Sequence, residues 1–145
     1  MTLKEIKIDL FEYEPTMQNF YYLHCISRDL DLGLGIAKSF RNKFNLTKEV
    51  LAKGIIFNNL SLTSNVFNLI TKSKYWQKPT YDSLRDSLIS VKKTIFALNW
   101  NNTKDIQLIM SKIGCGLDKL MWNNVKNIIK EVFGDTELDI VICYL

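Results

Sequence analysis

The chain has 145 residues, is 47% hydrophobic and carries a formal net charge of +4. That size suits one compact domain that buries a core without disulfide or metal staples, and the modest positive charge suits an acidic ligand while falling short of a dedicated nucleic-acid arm. No apolar run reaches the ~18 residues of a membrane span, and the opening Met1-Thr2-Leu3-Lys4-Glu5 lacks the basic and apolar regions of a secretory signal, so an intracellular protein, cytoplasmic or nuclear, is expected. Cys25, Cys115 and Cys143 stand far apart with no Cys-x-x-Cys, which indicates neither a zinc site nor a disulfide framework. Asn45-Leu46-Thr47, Asn59-Leu60-Ser61 and Asn101-Asn102-Thr103 fit glycosylation sequons, read here as coincidence in an intracellular, Asn-rich chain.

In chain order, Ile6, Ile8 and Leu10 alternate with Lys7 and Asp9 as a strand does, and Phe20–Ile26 reads as a second, more fully buried strand. Ile36–Phe44 follows as a helix with Ile36, Ala37 and Phe40 on one face and Lys38, Arg41 and Lys43 toward solvent. Gly54–Phe57 and Val66–Ile70 are strand candidates joined by a turn-rich stretch, Asn58-Asn59 and Ser61–Asn65, which together suggest a hairpin. From Tyr81 to Leu98 the residues Leu84, Leu88, Val91, Ile95 and Leu98 recur at spacings of four and three, the mark of an amphipathic helix, with Thr80 as its N-cap and Asp82 in its first turn. Asp105–Met110 is a strand, the stretch from Leu120 to Val132 a helix with Leu120, Met121, Val125, Ile128, Ile129 and Val132 inward, and Leu138–Leu145 a closing strand. Strands separated by helices predict an α/β sandwich with a mixed, largely parallel sheet, whose ligands bind beyond the strand carboxyl ends.

Two glycine loops fall at such ends. Ile113-Gly114-Cys115-Gly116-Leu117-Asp118 places a carboxylate at the exit of a loop framed by two glycines, and Leu32-Gly33-Leu34-Gly35-Ile36-Ala37-Lys38 is a second glycine pair ahead of a helix. Glycine permits the curved backbone that turns N–H groups inward, so each loop can cradle a phosphate, though each is also compatible with an ordinary strand-to-helix turn. Neither is a dinucleotide fingerprint or a Walker loop, since Lys38 stands where Gly-x-Gly-x-x-Gly needs its third glycine. Gln77-Lys78-Pro79-Thr80-Tyr81 adds a lysine held extended by the proline just ahead of a long helix. Lys72, Lys74, Tyr75, Trp76 and Lys78 interleave cations and aromatics, which reads as the rim of a ligand cleft and secondarily as a nucleic-acid pattern.

Taken in order, Asp9-Leu10-Phe11, His24-Cys25-Ile26-Ser27, Gly33-Leu34-Gly35-Ile36-Ala37 with Phe40 and Lys43-Phe44, Leu69-Ile70-Thr71-Lys72, Lys78-Pro79-Thr80-Tyr81, Ile113–Asp118, Trp122 and the closing strand resemble the macrodomain superfamily, in its terminal ADP-ribose protein glycohydrolase branch. The chain departs from that pattern at Ile8, where the family has glycine, at Leu32 and Leu34 of the first loop, and at Lys112, which keeps the charge of the family's arginine without its planar fork. The resemblance implies a single three-layer α/β/α macrodomain, expected to be monomeric, that binds ADP-ribose and mono-ADP-ribosylated proteins and needs neither metal nor cofactor. It implies removal of mono-ADP-ribose from acidic side chains, with O-acetyl-ADP-ribose deacetylation as a side activity, Lys78 as nucleophile and Asp118 as acid/base. Asp9, Leu10 and Leu145 would border the adenosine. Gly33, Gly35, Ile36 and Ala37 on one side and Ile113, Gly114, Cys115, Gly116 and Leu117 on the other would line the pyrophosphate, with Ser27 and Thr71 as polar contacts. His24, the only histidine, borders that site but reads as a hydrogen-bonded core residue rather than a general base. Alternative readings are a non-catalytic ADP-ribose reader, and an enzyme that acts on ADP-ribosylated nucleic acid, present only as a modified substrate, or on ADP-ribose 1″-phosphate.

Overall fold

The computed structural model describes residues 1–57, 59–99 and 103–145. Asn58 of the expected hairpin turn and Asn101 and Asn102 of the third sequon lie outside the described residues. The elements in chain order are β1 (Thr2–Lys7), β2 (Asn19–Ser27), α1 (Gly35–Phe44), α2 (Lys48–Ala52), β3 (Ile55–Phe57), β4 (Leu60–Thr63), β5 (Val66–Lys72), α3 (Tyr81–Asn99), β6 (Ile106–Met110), α4 (Trp122–Phe133) and β7 (Asp139–Tyr144). They form one seven-stranded sheet in the order β1-β7-β6-β2-β5-β4-β3. β1, β7, β6, β2 and β5 run parallel, while β4 and β3 turn back antiparallel at one edge. This is the mixed, largely parallel sheet that the strand–helix alternation predicts.

The sheet is covered on both faces, as a parallel sheet must be. One face packs Leu84, Leu88, Val91 and Ile95 of α3 and Val125, Ile129 and Phe133 of α4 against Leu23, Phe67, Leu69, Leu108 and Ile140. The other packs Phe40 of α1, Leu51 of α2 and Leu10 against Ile26, Val66, Ile109, Val141 and Cys143. Burying each such leucine or phenylalanine contributes roughly 1.5–3 kcal/mol before the entropy of ordering is set against it. The apolar spacing of α3 therefore buries Leu84, Leu88, Val91 and Ile95 of the stripe it predicts, while the last member, Leu98, is 49% exposed where the helix nears its end. Its first turn is closed as expected, with Thr80 Oγ1 accepting from the Ser83 N–H at 2.9 Å and Ser83 Oγ accepting from the Thr80 N–H at 3.0 Å.

Four local expectations are corrected. The first strand ends at Lys7 rather than Leu10, because its neighbour β7 offers partners only as far as Tyr144 and the Asp9 carboxylate then takes the Phe11 N–H at 2.8 Å, bending the chain. Leu60–Thr63 is a fully buried strand, not part of a turn, since the polar groups that suggested a loop are satisfied inside the sheet. Ser61 Oγ donates to the Leu51 carbonyl at 2.6 Å and Thr63 Oγ1 accepts from Asn68 Nδ2 at 2.9 Å. The short helix α2 was not predicted, although Thr47 caps it through the Val50 N–H at 3.1 Å. The helix expected from Leu120 starts at Trp122, with Leu120 folded back so that its N–H reaches the Gly114 carbonyl at 2.8 Å, and Met121 exposed. No described helix is long and apolar enough to cross a membrane.

Candidate active site

All five parallel strands point their carboxyl ends to the same edge of the sheet, and the loops that follow them build the site. β2 and β6 are neighbours, but the chain leaves β2 toward α1 on one face and β6 toward α4 on the other. Two loops that part in this way leave a crevice between them. It is a cleft of about 1190 Å³ whose wall takes in both glycine loops, the segments after β1 and β5, and the chain's last residues. Among the described residues no group of three His, Cys, Asp or Glu side chains is placed to hold a metal ion.

The first loop enters α1 at Leu34, an extended residue with no side-chain capping bond, so Gly35, Ile36 and Ala37 line the cleft with a helix start that no side chain caps. Such a start favours an anion. Gly35 has φ +61°, and a Cβ there would lie 3.0 Å from Leu117 Cδ1, so the two loops touch across the crevice. In the second loop Gly114 holds φ +72° and Leu120 packs against it. Gly116 differs: it lines the cleft, and among the described residues nothing lies within 4 Å of where its Cβ would stand, so none of them explains a glycine there.

Lys78 and Asp118 both reach this cleft but do not pair with each other. Lys78 Nζ donates to the Leu117 carbonyl at 2.6 Å. Asp118 Oδ1 accepts instead from Lys72 Nζ at 2.8 Å, and each of these side chains is only 14% exposed. Asp118 does not cap α4, which begins four residues on at Trp122. The lysine loop is fixed on both sides. Tyr81 Oη accepts from the Met121 N–H at 3.0 Å and Asn124 Nδ2 at 3.2 Å, which ties the Lys-Pro-Thr-Tyr segment to the exit of the second loop. Upstream, the Asp29 carboxylate accepts from the Tyr75 N–H at 3.0 Å and from the Ser27 hydroxyl, so Tyr75 and Trp76, 52% and 67% exposed, are presented on the cleft rim by an anchored turn.

At the other end Asp9, Leu10, Phe11, Tyr144 and the 88% exposed Leu145 line the cleft, and Lys112 Nζ lies 4.8 Å from the Tyr144 ring centroid and 5.8 Å from that of Trp122. His24 sits beneath, fully buried and stacked on Phe40 at 4.1 Å, with Nε2 bonded to Asn68 Oδ1. Burial pushes its pKa down to about 4, against a smaller opposing effect of the Asn68 bond, so the ring is neutral at physiological pH. The three thiols on the wall are poor nucleophiles. Burial pushes Cys25 up to about 12 and Cys143 up to about 11, and raises Cys115 as well.

The cleft wall thus brings together Asp9, Leu10, His24, Ser27, Gly33, Gly35, Ile36, Ala37, Lys78, Ile113, Gly114, Cys115, Gly116, Leu117, Asp118 and Leu145. Thr71 is buried and lies outside that wall. Sequence reasoning missed the Lys72 pairing and the Asp29 anchor. Asp29 had a readable signal, as an aspartate two residues after Ser27 and two before Asp31 is a residue type that bonds nearby backbone, and its carboxylate accepts from the Asp31 N–H at 3.2 Å.

This architecture is that of a macrodomain. The macrodomain of Mycobacterium tuberculosis DarG superposes with a TM-score of 0.75 at 17% identity, covering 99% of this chain and 98% of that one. The macrodomain of Thermus aquaticus DarG gives 0.74 at 17% with the same coverage. No family model matches the sequence. By sequence the chain is 37% identical over 141 residues to the ADP-ribose glycohydrolase OARD1 of Bos taurus and 36% identical to that of Homo sapiens, spanning 94% of this chain and 88% of each relative. The chain belongs to the macrodomain superfamily and, within it, to the family of OARD1, a terminal ADP-ribose protein glycohydrolase.

Proposed function

We propose that the protein is an ADP-ribosyl hydrolase that removes mono-ADP-ribose from acidic side chains of proteins. The observation that carries this reading is the arrival of Lys78 and Asp118 at one cleft between two glycine loops, in a chain 37% identical to an ADP-ribose glycohydrolase. A solved relative by fold, Thermosipho africanus DarTG, is described in complex with ADP-ribose. The open position at Gly116 and the uncapped start of α1 suit a pyrophosphate between the loops.

In this reading ADP-ribose lies along the cleft with its adenosine toward Asp9, Leu10 and Leu145 and its terminal ribose toward Lys78. The Lys78 amine, once deprotonated and released from the Leu117 carbonyl, attacks the anomeric carbon. The bond to the acceptor carboxylate breaks, and its electron pair leaves with that carboxylate. Asp118 takes a proton from the new ammonium and gives it to the ring oxygen as the C1″–O4″ bond breaks, so the sugar opens to a protonated imine. The restored carboxylate takes a proton from the water that adds to the imine carbon and passes it to nitrogen. The C–N bond of the carbinolamine then breaks, with its hydroxyl proton lost to Asp118, to return free ADP-ribose and the Lys78 amine. O-Acetyl-ADP-ribose with its acetyl on the anomeric oxygen offers the same carboxylate leaving group and is the expected small substrate. A pure reader would need the glycine loops but neither Lys78 nor Asp118.

The test is release of ADP-ribose from a glutamate-linked mono-ADP-ribosylated protein by wild type, Lys78→Ala and Asp118→Ala. Wild type releases it, and both variants lose release while calorimetry still detects ADP-ribose binding. Binding without release by wild type overturns the hydrolase reading in favour of a reader or of another linkage, for which ADP-ribosylated DNA is the next substrate to assay.

A further inference from the structure

The least expected contact in the cleft is the ion pair between Asp118 and Lys72. Lys72 is the last residue of β5 and stands opposite Ser27 at the end of β2, while Asp118 lies in the loop after β6 on the other side of β2. The pair therefore spans the end of the central strand, a distance of two strand spacings, roughly 9–10 Å, which the long lysine stem covers. Cys25 of β2 lies near enough to feel both charges, with burial as the main cause of its raised pKa, Asp118 adding to it and Lys72 opposing. The bond is 2.8 Å, close to the 2.9 and 2.8 Å of the exposed pairs Lys53–Glu49 and Arg85–Asp82, but here both partners are largely withdrawn from water, so removing one partner leaves a poorly solvated charge behind.

We propose that Lys72 is a positioning residue of the reaction: it holds Asp118 as an oriented carboxylate and keeps it from becoming the counter-ion of Lys78. Lys72 and Lys78 share this end of the cleft with Asp118, and Lys119 follows Asp118 on the same wall. A nucleophilic lysine next to a free carboxylate would be held as a bound ammonium, because an opposite charge within a few ångströms favours the charged form. With Asp118 engaged by Lys72, the Lys78 ammonium rests on the neutral Leu117 carbonyl, which gives it up at no cost in paired charge. Lys72 also removes the rotational freedom of a carboxylate on a loop with no regular structure, leaving the second oxygen of Asp118 for water or for the proton it must take.

This inference rests on the reading of Asp118 as acid/base, and its test separates the two. Turnover, KM and ADP-ribose affinity are measured for wild type, Lys72→Gln, Lys72→Arg and Asp118→Ala, with thermal melting of each. Lys72→Gln is expected to lower kcat on the order of 10- to 100-fold, the scale of a misplaced catalytic group, with KM and ADP-ribose affinity within about threefold of wild type, and Lys72→Arg to recover most of the loss because the charge and the span are kept. A kcat within twofold of wild type for Lys72→Gln, with Asp118→Ala inactive, overturns the role of Lys72 and leaves the hydrolase reading standing. Equal loss in Lys72→Gln and Lys72→Arg, or loss of ADP-ribose affinity in step with kcat, overturns it too, since the contact would then be with the ligand or with packing. Full activity of Asp118→Ala overturns the underlying reading instead. Lys72→Met, which keeps the packed stem, takes the place of Lys72→Gln with the same outcomes if the latter does not melt cooperatively.

Discussion

The neutral state of His24 has a measurable consequence for stability against acid. The ring is fully buried, and burial holds its folded pKa at about 4 against 6.5 for a free imidazole. Above pH 6.5 it is neutral in both folded and unfolded chains and costs nothing. As the pH falls below 6.5 the unfolded chain takes up a proton that the folded chain refuses, so stability present above the unfolded value is lost progressively down to about pH 4. A gap of roughly 2.5 in pH at 1.36 kcal/mol each corresponds to about 3 kcal/mol, a large fraction of a typical domain's total. Because this is the only histidine, its ring proton resonance can be followed without assignment, folded and in denaturant. The expected midpoints lie near 4 and near 6.5. Denaturant unfolding of wild type and His24→Gln then isolates the share lost to this ring, since carboxylate protonation is common to both. A folded midpoint near 6.5, or equal acid sensitivity of the two proteins, refutes the burial argument.

Gly35→Ala places a side chain at φ +61° with its Cβ 3.0 Å from Leu117 Cδ1. The backbone strain of about 1–2 kcal/mol should lower the melting temperature by several degrees, and displacement of Leu117 should weaken ADP-ribose binding by calorimetry, whereas Gly116→Ala, with no neighbour among the described residues to strain, should leave the melting temperature close to that of wild type. Thr80→Ala removes the acceptor for the Ser83 N–H and should destabilise by about 1 kcal/mol in urea unfolding.

The parts of the fold that carry strong periodicity were legible in the sequence. α3 shows its buried stripe and its cap, and the two glycine loops declare themselves because positive φ at Gly35 and Gly114 admits few other residues. β4 was hidden because Ser61 and Thr63 look like loop residues until their hydroxyls find partners across the sheet. Asp118 was legible as a carboxylate at a loop exit, but its partner was not. Lys72 is 46 residues away, and only the strand order β6-β2-β5 shows that the two loop ends face each other. Pairing across an intervening strand leaves no local pattern. The start of α4 was misplaced for a similar reason: Leu120 has the spacing of a helix residue, yet its packing against Gly114 keeps it in the loop.

If Lys78 attacks the terminal ribose, the bond it forms can be trapped as a reduced adduct. Wild-type protein is mixed with ADP-ribosylated substrate and cyanoborohydride, then digested and mapped by mass spectrometry. The expected result is an ADP-ribose increment on the peptide carrying Lys78, absent from Lys78→Ala. Release of ADP-ribose at an undiminished rate under reductant with no adduct on Lys78, or an adduct on a different lysine alone, would contradict it.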